Sequence, residues 1–507
     1  MKKYSPHISN RNWLFVLIIF LQSYTTLAQT QPLGAFDHHE DIGNPKIKGS
    51  AVFNQEDQTY TLTAAGKNMW ANTDQFHFAW KKIKGDFIIK ATVRFFGKGV
   101  NGHRKIGIIA RDKLSSDSRY ADACVHGEQL TSLQYRATDG DTTGQVTISS
   151  YNPTEIEFER SGNTFTFSAA TFGETYKSVS KEIPLTEEVY AGLFICSHEE
   201  AVIEQAVFSN VRIIIPPAKN HRPYRDYIGS HLEVMDIETG HRKILQSAVN
   251  SLQAPNWTPD NRYLIYSSEG LLYKYEIANG AVTVLNTGFA KDNNNDHVLS
   301  FDGKMMGISN HSGKDRTSTI YILPVTGSDN PTRITSDTAG HSYFHSWSPD
   351  GKRLLFTGMR NKEWNIWAID IATKKETQLT QDPLLDDGPE YTPDGKYIYF
   401  NSVRTGTMKI WRMKPDGSEQ EQVTFDEYND WFPHISPDGK WILYESFPKD
   451  IDPATHPFYQ KIYFRLMSAK GGVPKTIAYL YGGQGTINVP SWSPDSKKIA
   501  FISNTKL

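Results

Sequence analysis

The stretch Ser346-Trp-Ser-Pro-Asp-Gly351 reads as a tight turn. Pro fixes φ, Asp bonds back to its own backbone, and Gly accepts a positive φ. The run after it, Lys352-Arg-Leu-Leu-Phe356, is β-rich, and Asn365-Ile-Trp-Ala-Ile-Asp370 supplies a further strand. The unit returns as Asn256-Trp-Thr-Pro-Asp260, Val298-Leu-Ser-Phe-Asp-Gly303, Glu390-Tyr-Thr-Pro-Asp-Gly395, His434-Ile-Ser-Pro-Asp-Gly439 and Ser491-Trp-Ser-Pro-Asp-Ser496. The aligned Pro or Phe falls at 259, 301, 349, 393, 437 and 494, with spacings of 42, 48, 44, 44 and 57 residues. Such a period suits one four-stranded propeller blade per repeat.

The ends of the repeat region fit a closed ring. Ser493-Pro-Asp-Ser-Lys-Lys-Ile-Ala-Phe501 supplies only two inner strands, and the outer pair is found at His231-Leu-Glu-Val-Met-Asp-Ile237 and His241-Arg-Lys-Ile-Leu245. A blade assembled from both ends leaves no free sheet edge, so six blades are expected.

This unit resembles the TolB-like propeller repeat, whose hallmark is Trp-Ser-Pro-Asp-Gly followed by a further strand. The resemblance covers about residues 230–507. It implies a six-bladed β-propeller and contacts with proteins of the cell envelope.

Upstream, Lys2 and Lys3 precede a short apolar run, Trp13 to Leu21, and then Thr26-Leu27-Ala28. The run is too short to span a bilayer comfortably, and small residues follow it, so a cleaved signal peptide over residues 1–28 is expected. The expected location is therefore periplasmic or secreted, with no transmembrane segment after cleavage. Net charge is −2 with both signs interspersed, which gives no footprint for nucleic acid.

Residues 31–215 lack the repeat and read as short strands separated by turns. Gly85-Asp-Phe87, Gly192-Leu-Phe194 with Ser197-His198, and Phe208-Ser-Asn-Val-Arg212 resemble concanavalin-like, laminin-G-like jelly rolls of exported carbohydrate-active proteins. The expected fold class is thus all-β, a β-sandwich (jelly roll) at 31–215, a linker at 216–229 beginning with Pro216-Pro217, and the propeller at 230–507. Aromatic rings stack on sugar faces, which makes Trp70, Phe76, Phe78, Trp80, His126, Tyr135 and His198 candidates for a sugar-binding concave face, or else core and rim. Cys124 and Cys196 are the only cysteines; an exported compartment permits a disulfide, and two buried thiols on strands are the plainer reading.

In a propeller the innermost strands line a channel. Three residues before the aligned Pro or Phe stand Asn256, Val298, Ser346, Glu390, His434 and Ser491; one place earlier come His297 and His345 among prolines. These are expected at one mouth, fed by Asp386, Asp387, Asp430 and Trp431, with His341 nearby. Asn256, His297, His345, Glu390, Trp431 and His434 are therefore the candidate ligand-binding residues, with Glu390 and His434 as acid–base candidates. His297, His345 and His434 are candidate ligands for a divalent metal, since converging imidazoles and carboxylates suit one. Polar lining of a wet channel would account for the same residues.

Two functions are expected from this. One is an envelope protein that binds a glycan or a protein partner. The other is a metal-dependent carbohydrate-active enzyme, because the histidine set resembles that of oligogalacturonate lyases, although their seven blades and ligand offsets differ from this chain. No Gly-x-Ser-x-Gly elbow, Walker loop or His-Glu-x-x-His occurs.

Overall fold

A computed structural model describes residues 33–222 and 225–507; the expected signal peptide lies outside the described residues. Among them every element is a strand, and no helix is long and apolar enough to cross a membrane. Residues 33–507 form one compact unit.

The repeated turn is built the same way each time. In blade 3 the Ser348 hydroxyl donates to Asp350 at 2.6 Å, the Lys352 N–H donates to the same carboxylate at 3.1 Å, and Gly351 takes φ 70. Thr258–Asp260, Ser300–Asp302, Thr392–Asp394, Ser436–Asp438 and Ser493–Asp495 repeat the hydroxyl–carboxylate bond. Each turn joins an innermost strand to the next, as Ser342–Trp347 to Arg353–Arg360 in blade 3, followed by Glu363–Asp370 and Glu376–Gln378. Five four-stranded sheets of this kind follow one another.

The sixth blade closes the ring as the sequence predicts. Lys498–Asn504 pairs with Ser230–Asp236, which pairs in turn with Arg242–Ala248, and a bridge from Trp492 to Ile499 marks the innermost strand. The propeller is therefore six-bladed.

Upstream lie two seven-stranded sheets. One hydrophobic cluster draws Ala79, Ile108, Ala123 and Leu193 from the first and Leu62, Ile89, Phe158 and Phe208 from the second, so the two share a core. On the strand Thr131–Arg136, side chains alternate between faces. Tyr135 therefore packs toward that shared core and is not brought together with the other sugar-face candidates. Phe76, Phe78 and Trp80 are buried in a second cluster with both cysteines, which are free thiols. Of the aromatic set only Trp70 is well exposed, at 40%.

The sheets are fastened to blades 5 and 6. Glu233 sits between Arg212 and Arg242 at 2.5 and 2.7 Å, all three buried. Two guanidiniums outweigh the effect of burial and hold the Glu233 carboxyl far below the usual range. Lys90–Glu157 and Lys461–Glu159 extend this charge layer, and Gln58 exchanges two 2.8 Å hydrogen bonds with Ile244. The described residues of 215–229 carry no strand, yet Ile215 and Ile228 donate N–H groups to Thr505 and Tyr459.

Candidate functional site

The innermost strands do not run straight. In blades 1 to 5 the pairing register shifts between Gln253/Asn256, Asn293/His297, Phe344/Ser346, Asp387/Glu390 and Trp431/His434. Ala254, Gly388 and Phe432 occupy the same repeat position inside these bulges and have φ of 52, 60 and 49. A bulge re-aims the side chains on either side of it, and here it divides the channel into two ends.

Residues before the bulge line a wide funnel of about 820 Å³, within the ~300–1,000 Å³ usual for small-ligand pockets. Six residues ahead of each aligned Pro or Phe stand Gln253, Asn295, Tyr343, Asp387, Trp431 and Asn488, and all six line it. Residues after the bulge line a smaller basin of about 310 Å³ at the other end. There Trp257, Leu299, Trp347, Tyr391, Ile435 and Trp492 form an apolar ring.

The candidates expected at one mouth are therefore split. Trp431 and His345 reach the funnel, while Asn256 and Glu390 belong to the basin. His297 is fully buried, with Nε2 against the Ile265 carbonyl at 3.1 Å. His434 places Nδ1 at 2.6 Å from Glu390 and Nε2 on the Ile487 carbonyl. Glu390 also accepts the Ile435 N–H at 2.9 Å, and Asn256 accepts the Leu299 N–H while donating to Pro490 O. Most of this ring thus joins blade to blade.

The three histidines do not converge. Among the described residues no group of three or more His, Cys, Asp or Glu could hold a metal ion. Nor do Asp386 and Asp430 face the funnel; strand alternation turns them outward, onto Arg404 at 2.9 Å and Lys409 at 3.8 Å. His341 accepts the Ser318 N–H and stacks beside Tyr343 and Trp364 at the rim.

The funnel floor is a coupled acid–base group. His345 Nε2 lies 3.3 Å from Asp387, whose Oδ1 also accepts from the Thr357 hydroxyl at 2.7 Å and the Gly388 N–H at 2.8 Å. Burial opposes the charge on His345, but Asp387 and Asp296 together hold its pKa above the ordinary value. Burial likewise opposes the Asp387 charge, and His345 with these donors holds it below. Asp296 is buried with less support. Desolvation pushes its pKa to about 6 despite His345, and among the described residues its carboxylate is hydrogen-bonded only to Asn294, at 2.6 Å. Above the floor, His456 stacks on Trp431 at 4.9 Å and is held by Gln484 and Glu445.

Asp296, Asn294, Gln484, Asn488 and Trp364 were missed as site residues. The signal that finds most of the ring is the repeat position six before the aligned Pro, three places earlier than the one chosen.

A six-bladed ring with a deep, mixed-polarity funnel at one end defines the class, a six-bladed β-propeller. The model of the TolB beta propeller domain matches residues 314–452. An uncharacterised protein of Agrobacterium fabrum is 42% identical over 276 residues, 54% of this chain and 92% of its own length. A solved structure of a putative TolB from Agrobacterium tumefaciens is 40% identical and covers 56% of this chain and 100% of its own, with a TM-score of 0.53. The Tol-Pal system protein TolB of Francisella tularensis is 32% identical over 111 residues, 21% of this chain and 25% of its own length. The chain belongs to the TolB-like β-propeller family.

Proposed function

We propose that this is an exported binding protein of the cell envelope whose propeller funnel receives a glycan. The observation that carries this is the funnel lining. Carboxamides from Gln253, Asn294, Asn295 and Asn488 stand among the rings of Tyr343 and Trp431. Flat apolar rings beside short hydrogen-bonding amides suit the alternating faces and edges of sugar rings. On this reading Trp431 and His345 are ligand-contacting residues, and Asn256, His297, Glu390 and His434 keep the ring in shape.

The N-terminal sheets are read as a concanavalin-like jelly roll over 31–215, joined through 216–229 to the propeller at 230–507. Exposed Trp70 is its one candidate for a sugar contact. A signal peptide over 1–28 and a periplasmic or secreted location complete the proposal. An envelope protein partner is the second reading, favoured by the likeness to a Tol-Pal system TolB.

The metal-dependent lyase reading fits the geometry less well. His297, His345 and His434 point at three different partners, and the carboxylate-lined funnel repels a uronate. The test is a panel of purified oligosaccharides titrated into the full chain and into Trp364→Ala and Tyr343→Ala variants. Binding that weakens in both variants is expected. Equal binding by wild type and both variants places the ligand elsewhere and sinks the proposal.

A further inference from the structure

The funnel is lined by four carboxylates, Glu269, Asp292, Asp296 and Asp387, against one guanidinium, Arg316. Arg316 is already spent on Asp292 at 2.8 Å. On the floor His345 faces Asp387 at 3.3 Å and acts on Asp296 only from a greater distance, so among the described residues neither Asp296 nor Glu269 is in an ion pair. Oδ1 of Asp387 accepts from Thr357 and Gly388 and faces His345, and among the described residues no hydrogen bond reaches its second oxygen. Asp296 likewise has one oxygen bonded, to Asn294, and the other unpartnered among the described residues. Burying carboxylates without matching donors is costly unless something supplies the charge.

The walls add a second, independent feature. Tyr343 stacks on Trp364 at 5.7 Å in the funnel wall, and the buried Trp431 and Phe432 rings stack there on His456 and His345. Aromatic faces attract cations, most strongly where water is excluded. A carboxylate floor under aromatic walls is the arrangement that selects a positively charged group, and the flanking carboxamides suit the hydroxyls around it.

We propose that the funnel discriminates for an amine-bearing glycan, with the protonated amino group of a sugar seated between Asp387 and Asp296 on the funnel floor. This rests on the reading of the funnel as a glycan site and narrows it to one class. Neutral sugars gain the stacking and the amide contacts without the charge pairing; uronates meet repulsion. The seated ammonium also adds to the pairing of Asp296, so its arrival favours the ionised carboxylate against the cost of burial.

The experiment is calorimetric titration of the full chain at near-neutral pH with four probes: a glucosamine oligomer, its N-acetylated counterpart, an oligogalacturonate of equal length, and a lysine-containing tripeptide. The glucosamine oligomer is expected to bind at least about tenfold tighter than the N-acetylated one, a difference of about 1.4 kcal/mol. The oligogalacturonate is expected not to bind. Asp296→Asn and Asp387→Asn are each expected to erase the preference, so that the glucosamine and N-acetylated oligomers bind alike, and circular dichroism confirms that the variants are folded. N-acetylated binding equal to or tighter than the amine overturns the proposal and leaves the broader glycan reading standing. Tighter binding of the peptide overturns it in favour of a protein ligand. Silence from all four probes, with no effect of Trp364→Ala on any of them, removes both readings together.

Discussion

The two ends of the propeller channel are built from the same repeat, four residues apart, yet they differ in kind. The basin ring, two residues before the aligned Pro or Phe, holds Trp257, Leu299, Trp347, Tyr391, Ile435 and Trp492, apolar in every blade. The funnel ring, six before it, holds Gln253, Asn295, Tyr343, Asp387, Trp431 and Asn488, with five residue types in six places. Packing makes the same demand of each blade, so the basin ring repeats. At the basin end Trp347 Nε1 donates to Val298 O at 2.9 Å and Trp492 Nε1 to His434 O at 3.1 Å, each into the preceding blade. A ligand has no six-fold symmetry, and residues that face one are free to differ. In a repeat protein, uniform positions mark architecture and diverse positions mark recognition.

That contrast can be broken most directly at Glu390, on the basin side of the bulge. Glu390→Ala strips partners from the buried His434 ring and the Ile435 N–H, so a loss of about 3–5 kcal/mol is expected in urea unfolding. A loss below about 1 kcal/mol would mean that this ring does not hold the blades together.

A pH measurement sharpens the funnel side. The Asp296 pKa is raised by burial from 3.8 to about 6, so between those values the folded state binds more protons than the unfolded chain. Stability contributed by the protonated form is present at low pH and is lost as pH rises from about 4 to about 6. Asp296→Asn is expected to remove that decline, leaving the variant relatively more stable at pH 7 by about 2–3 kcal/mol. Parallel wild-type and variant stability profiles across this window would contradict the desolvated floor.

Smaller effects follow at the turns and the rim. Asp350→Ala removes one of six equivalent turn carboxylates and is expected to cost about 1 kcal/mol, read as a shifted urea midpoint at unchanged slope. Trp364→Ala, half-buried at the funnel rim, is expected to change stability by less than about 1 kcal/mol while weakening ligand binding in titration. A stability loss matching that of Glu390→Ala would place Trp364 with the architecture.

The propeller was legible in the sequence because Ser348, Asp350 and Gly351 encode their turn locally, and the same local code occurs six times. Closure by the two ends was legible for the same reason, since the half-blade at Lys498–Asn504 needs the strands at 230–248. The site was legible only in part. His345, Asp387 and Trp431, named from the sequence, line the funnel, but assigning Glu390 and His434 to the same mouth assumed a straight strand. The bulge between these positions shows little local signal beyond Gly388, because Ala254 and Phe432 adopt positive φ without the residue that usually announces it. Asp296 was hidden more deeply. Its environment comes from His345 and Asp387, on two other blades.

The fastening of the sheets to blade 6 has a consequence for the order of events as the chain emerges. Blade 6 joins Ser503 to Glu233 across 270 positions of sequence, and pairings of such long range form late. The two sheets precede the propeller and can fold first. Through Arg212 at Glu233 and Asn210 at Gly240 and Arg242, they grip the hairpin of 230–248 on one side while its other edge stays unpaired. The sheets thus serve as a jig that holds a docking strand open for the final strand, and ring closure becomes the last step of assembly.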